Sequence, residues 1–92
     1  MIFLEKLREH YVCTKIAILE AVSNKIAEQY PVLKDDMEIK RNRLEINNDL
    51  CNCYIDLEDG AFKICIDGQT PYCYEDFESV LTDIEDEIAS NE

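Results

Sequence analysis

Apolar positions recur at helical steps near both ends of the chain and alternate every second residue in the middle. Near the start, Phe3, Leu4 and Leu7 form a short stripe. Ile16, Leu19, Val22, Ile26 and Tyr30 continue one at steps of three and four. Tyr11-Val12-Cys13 is a poor helix centre and Thr14 suits a second start. The pattern therefore favours a short helix over 2–10 and a longer one from about 14 to 29, with one continuous bent helix as the alternative. Pro31 ends the segment either way, because the residue before a proline is pushed out of helical geometry.

From Met37 to Asp67 the period is two. MEIK, LEIN, LCNCYIDLE and AFKICID each alternate as strands do. Arg41-Asn42-Arg43 and Asp59-Gly60 are predicted hairpin connections. In the longest strand Cys51, Cys53, Ile55 and Leu57 share one face, opposite Asn52, Tyr54, Asp56 and Glu58. In the next, Phe62, Ile64 and Ile66 oppose Lys63, Cys65 and Asp67. One sheet face is thus apolar and needs a cover of helices.

The stretch PYCYEDFESVLTDIEDEI, Pro71 to Ile88, reads as a helix with Thr70 as N-cap and Pro71 in its first position. Phe77, Val80, Leu81, Ile84 and Ile88 make its apolar stripe. The predicted fold class is α+β over a single domain, residues 1–92. N-terminal helices and a C-terminal acidic helix cover an antiparallel sheet of three to four strands in two layers.

Charge changes this picture. Residues 1–44 hold eight basic and seven acidic side chains, whereas residues 45–92 hold fourteen acidic ones and Lys63 alone. An acidic half of this kind repels nucleic acid and attracts basic surfaces. The C-terminal helix carries no Lys or Arg, so it accepts like-charge repulsion that ordinary surface helices relieve with mixed signs.

Other chemistry finds little support. No apolar run approaches the roughly 18 residues of a membrane span, and MIFLEKLREH is too charged for a signal peptide. Five cysteines without secretion signals read as reduced thiols of a cytosolic protein. Cys51-Asn52-Cys53 is spaced too closely for a structural zinc pair, and His10 and Cys13 have nothing to fix their approach. With Gly60 at the sixth place of a calcium loop, the first and twelfth places are Ile55 and Ile66, which cannot ligate. His10 has no nucleophile in a recognisable turn, and neither glycine lies in a phosphate-cradling pattern. The expectation is a non-enzyme with no cofactor and no metal. Direct nucleic-acid binding is disfavoured, because Lys34, Lys40, Arg41 and Arg43 are few and outnumbered.

The acids then invite comparison with a phosphate backbone. A chain of this size has an expected radius of gyration of roughly 12 Å and a diameter on the order of 30 Å, matching about nine base pairs or about eighteen phosphates. The carboxylates expected to stand in for phosphates are those of Asp56, Glu58, Asp59, Asp67, Glu75, Asp76, Glu78, Asp83, Glu85, Asp86 and Glu87. The charge count and the surplus of tyrosines also point to a homodimer.

The length of 92 residues, the IFLEKLREHY opening and the acidic FESVLTDIEDEI end resemble the Arn family of anti-restriction proteins of T-even bacteriophages, small acidic DNA mimics. The resemblance implies a dimer whose negative surface imitates duplex DNA. It also implies inhibition of the modification-dependent restriction endonuclease McrBC in the cytoplasm of an infected bacterium. The implied partner is a DNA-binding protein with a basic surface, a restriction endonuclease or a nucleoid protein. Two other classes compete. An immunity or antitoxin-like protein would plug one basic toxin or nuclease through tyrosine anchors such as Tyr54, Tyr72 or Tyr74. A housekeeping adaptor would use its acidity for solubility alone.

Overall fold

The computed structural model describes the backbone from Ile2 to Glu92 and the side chains from Cys13 onward. One helix, α1, runs unbroken over Ile2–Gln29. This corrects the favoured division at Thr14, which lies inside the helix. Tyr, Val and Cys each cost a helix only about 0.5 kcal/mol relative to alanine, whereas a break leaves up to four N–H and four C=O groups without helical partners. Continuity is cheaper. Phe3, Leu4, Leu7 and His10 lie outside the residues whose side chains are described. Of the later stripe, Leu19, Val22 and Ile26 are buried, and Tyr30 packs beside them.

Pro31 ends α1 and opens a six-residue 3-10 helix, Pro31–Asp36, which the sequence pattern did not suggest. Leu33 is buried beneath it. The strands follow as β1 Met37–Lys40, β2 Arg43–Asn47, β3 Asn52–Glu58, β4 Ala61–Ile66 and β5 Tyr72–Tyr74, antiparallel in that spatial order. Arg41 and Asn42 (φ 57° and 60°) join β1 to β2, and Asp59 and Gly60 (φ 51° and 78°) join β3 to β4. Both are two-residue turns with positive φ at both positions, whose twist matches that of paired strands.

Leu50 and Cys51 do not belong to β3. They lie in a tight loop where Asn48 and Cys51 exchange backbone hydrogen bonds of 3.1 Å, and Asn48 Oδ1 accepts the Leu50 N–H at 2.8 Å. The asparagine side chain competes with ladder pairing and delays the strand.

The larger departure is at residues 71–76. Thr70 is not a cap and Pro71 is not in a helix. Tyr72-Cys73-Tyr74 instead forms β5 against β4, and the acidic helix, α2, spans Phe77–Asn91. Aromatic side chains suit a pleated, half-buried strand better than a helix start. The edge of β4 offers them partners: Tyr72 stands opposite Ile64 and Tyr74 opposite Phe62.

The core lies between one sheet face and both helices. Leu19, Val22 and Ile26 of α1 and Val80, Ile84 and Ile88 of α2 cover Leu44, Ile46, Cys53, Ile55 and Ile64. The fold is α+β in two layers. Its radius of gyration is 13.9 Å and its extents are 51 × 25 × 21 Å, longer than the roughly 30 Å expected of a compact chain. The continuous α1, about 42 Å at 1.5 Å per residue, accounts for the elongation.

Candidate acidic interaction surface

Helix α2 begins where Asp76 accepts the Ser79 N–H at 3.1 Å, and the Ser79 hydroxyl donates back to the same carboxylate at 2.9 Å. Phe77 then packs on Phe62, ring centres 5.6 Å apart, near the Asp59-Gly60 turn. Fourteen residues on, the Asn91 amide donates to the Leu50 carbonyl at 3.0 Å, at the opposite end of the sheet. The helix therefore lies along the strands, anchored at both ends by contacts that use no charge–charge pair.

Its carboxylates wrap the helix. Asp83, Asp86 and Glu87 border the side toward β4 and β5. Glu85 and Asp86 act on Tyr30: burial first, then these two negative charges, push its hydroxyl pKa up. Five carboxylates of α2, Glu78, Asp83, Glu85, Asp86 and Glu87, ride on an axis of about 22 Å, roughly one per 4 to 5 Å, and Glu75, Asp76 and Glu92 flank its ends. A single DNA strand carries one charge per 3.4 Å and the duplex one per 1.7 Å of axis. The helix is therefore somewhat sparser in charge than one strand, and the charges do not form one line. No basic residue stands in the last turn, so Glu87 and Glu92 sit toward the negative end of the helix dipole without compensation, an unfavourable arrangement.

The other predicted acids divide. Asp56 forms an ion pair with Lys15 of α1, and its Oδ1 also accepts the Leu57 N–H at 2.8 Å. Glu58 pairs with Lys63 at 3.2 Å, and that carboxylate raises the lysine pKa. Asp59 and Asp67 occupy positive-φ turn positions and are exposed. The structure thus brings Glu75, Glu78, Asp83, Glu85, Asp86 and Glu87 together on or beside α2, ties Asp76 into the cap, and partly neutralises Asp56 and Glu58. The Lys15 contact is long-range and left no signal in local sequence, whereas the Lys63 contact crosses the Asp59-Gly60 hairpin.

The sheet face away from the helices is nearly balanced. Glu38, Glu45 and Glu58 alternate there with Lys40, Arg43 and Lys63. Arg43 lies over the Tyr54 ring, 4.1 Å from its centre, with its Nε 4.0 Å from Glu45. The negative excess is therefore concentrated on α2 and the turns, not on the sheet.

The thiol pair is built as core. Cys51 and Cys53 bring their sulfurs within 3.8 Å, both buried. The contact with Cys51 and burial together hold the Cys53 thiol well above its ordinary pKa. Cys65, on the other face, donates to the Gln69 carbonyl at 3.0 Å. Among the described residues no set of three or more His, Cys, Asp or Glu converges as a metal cage, and no helix is long and apolar enough to cross a membrane.

No family model, curated protein or solved structure matches the chain.

Proposed function

We propose that the protein is a DNA-mimic inhibitor, which occupies the DNA-binding surface of a host defence enzyme with an array of carboxylates. The observation that carries this reading is α2. It presents acids on both flanks, keeps no basic residue on its surface, and tolerates negative charge toward its own negative end. Such an arrangement costs the helix stability. A binding partner rich in Lys and Arg gives it a purpose, because docking releases counterions from both surfaces and excludes DNA. The resemblance to the Arn family implies a restriction endonuclease of the McrBC type as the target, in the cytoplasm of a phage-infected bacterium, and a homodimer as the active form.

The test is competition. The protein is titrated into a restriction endonuclease bound to labelled duplex DNA, at low and at physiological salt. Displacement along a competitive isotherm that weakens with salt supports mimicry. No displacement across several DNA-binding enzymes removes it.

A second reading, a one-partner immunity protein, is favoured by a separate observation. Tyr72 is 63% exposed and stacks beside Tyr74, ring centres 6.5 Å apart. Exposed tyrosines are common interface anchors. Alanine at these positions with loss of binding, while charge reversals on α2 are tolerated, decides for that reading.

A further inference from the structure

A groove of about 310 Å³ runs between β5 and α2. Three different chemistries meet in it. Ile64 and Ile66 of β4 supply an apolar floor, Tyr72 and Tyr74 one wall, and Asp86 and Glu87 of α2 the other. Tyr74 is already engaged: the Asp83 carboxylate beside it pushes the tyrosine pKa up. Glu87 uses one oxygen, Oε1, to hold the Asn91 amide at 2.8 Å. The Asp86 carboxylate, the second oxygen of Glu87 and the face of Tyr72 remain for a ligand. Among the described residues no lysine or arginine pairs with Asp83, Asp86 or Glu87.

We infer that this groove receives an arginine side chain of the protein partner. The inference rests on the proposal that the partner's surface is basic, and it names where a specific contact is made. A guanidinium stacks on a tyrosine face and can bond two carboxylate oxygens at once, which a lysine ammonium does not reproduce. Its three-carbon stem lies along the Ile66 floor. A whole strand of the partner is a poorer occupant. β5 is three residues long, and the preceding Pro71 has no N–H to offer a sixth strand. The groove therefore accepts a side chain inserted from above.

The experiment is an NMR titration of the intact protein with N-acetyl-arginine amide, with N-acetyl-lysine amide, and with sodium chloride as an ionic-strength control. Saturable shifts at the Tyr72 and Tyr74 rings and the Ile66 methyls with arginine, weaker with lysine and absent with salt, are expected. Tyr72→Ala and Asp86→Asn should each weaken arginine binding by about two- to fivefold. Tyr72 and Asp86 are both exposed, so these variants keep the fold. Glu78→Gln with Glu85→Gln, outside the groove, should leave it unchanged. Shifts spread over all acidic positions, or an unaltered response in Tyr72→Ala, overturn the inference. No DNA-binding enzyme enters this titration. Failure to displace DNA sinks the mimic and leaves the groove standing, whereas a diffuse arginine response does the reverse.

Discussion

The Asp76 carboxylate and the Ser79 backbone N–H, 3.1 Å apart, set where the acidic helix begins. A residue that a charge count assigns to the partner-binding array is thus also the cap that satisfies one of the four free donors of α2. Asp76→Ala should lower the unfolding free energy by about 0.5–2 kcal/mol in urea titrations, and Asp76→Asn by much less, because asparagine caps as well as aspartate. Equal losses for the two variants would show that the charge, not the cap, matters.

Neutralising the exposed acids of α2 should separate function from stability. Glu78, Glu85 and Asp86 are exposed and have no ion-pair partner among the described residues. The triple variant Glu78→Gln, Glu85→Gln, Asp86→Asn should keep its urea midpoint or gain a few tenths of a kcal/mol from relieved repulsion, since Asp86 stands three residues from Asp83. Its competition with DNA should weaken at every salt concentration. Unchanged competition would return the acidity to a solubilising role.

Core burial makes the opposite prediction. Ile84 is fully buried between α2 and the sheet. Ile84→Ala should cost about 2–5 kcal/mol, read from the same urea curves, through lost transfer energy and the cavity left behind. A loss under 1 kcal/mol would mean that α2 does not pack on the sheet as described.

The five thiols should divide by exposure. Cys13 and Cys73 are exposed, whereas Cys51, Cys53 and Cys65 are buried. A thiol reagent should titrate two groups quickly in the native protein and the remaining three only on unfolding, because reaction needs an accessible thiolate. Rapid reaction of four or five would contradict the buried Cys51–Cys53 pair.

At high pH the tyrosines should govern stability. Tyr74, beside the Asp83 carboxylate, and Tyr30, partly buried near Glu85 and Asp86, both have pKa values raised above 10.0. A raised folded pKa means that the fold favours the protonated hydroxyl. Its contribution is complete below pH 10 and is lost as pH rises through the folded value. Urea midpoints should hold between pH 8 and about 9.5 and fall above about 10. Tyr74→Phe should flatten part of that fall, and an identical fall in the variant would remove Tyr74 from the account.

Much of this architecture was legible along the chain because its causes are local. Alternation placed β1 to β4 on the correct faces, since a strand exposes every second side chain to one side. Asp59-Gly60 announced its turn, since only a few residues accept positive φ. The stripe Val80, Ile84, Ile88 and the acids between them fixed which side of α2 is buried, and the exclusion of basic residues from that helix is visible by inspection. Tertiary structure decided what depends on distant partners. Tyr11 to Cys13 remain helical because breaking α1 strands more hydrogen-bonding groups than weak propensity costs. Tyr72 to Tyr74 became a strand because β4 offered an unpaired edge, and no local pattern shows an edge that lies in space. Lys15 reaches Asp56 across forty-one positions of sequence. Carboxylates that look equivalent in composition are therefore divided by the fold into capped, paired and free, and only the free ones remain for a partner.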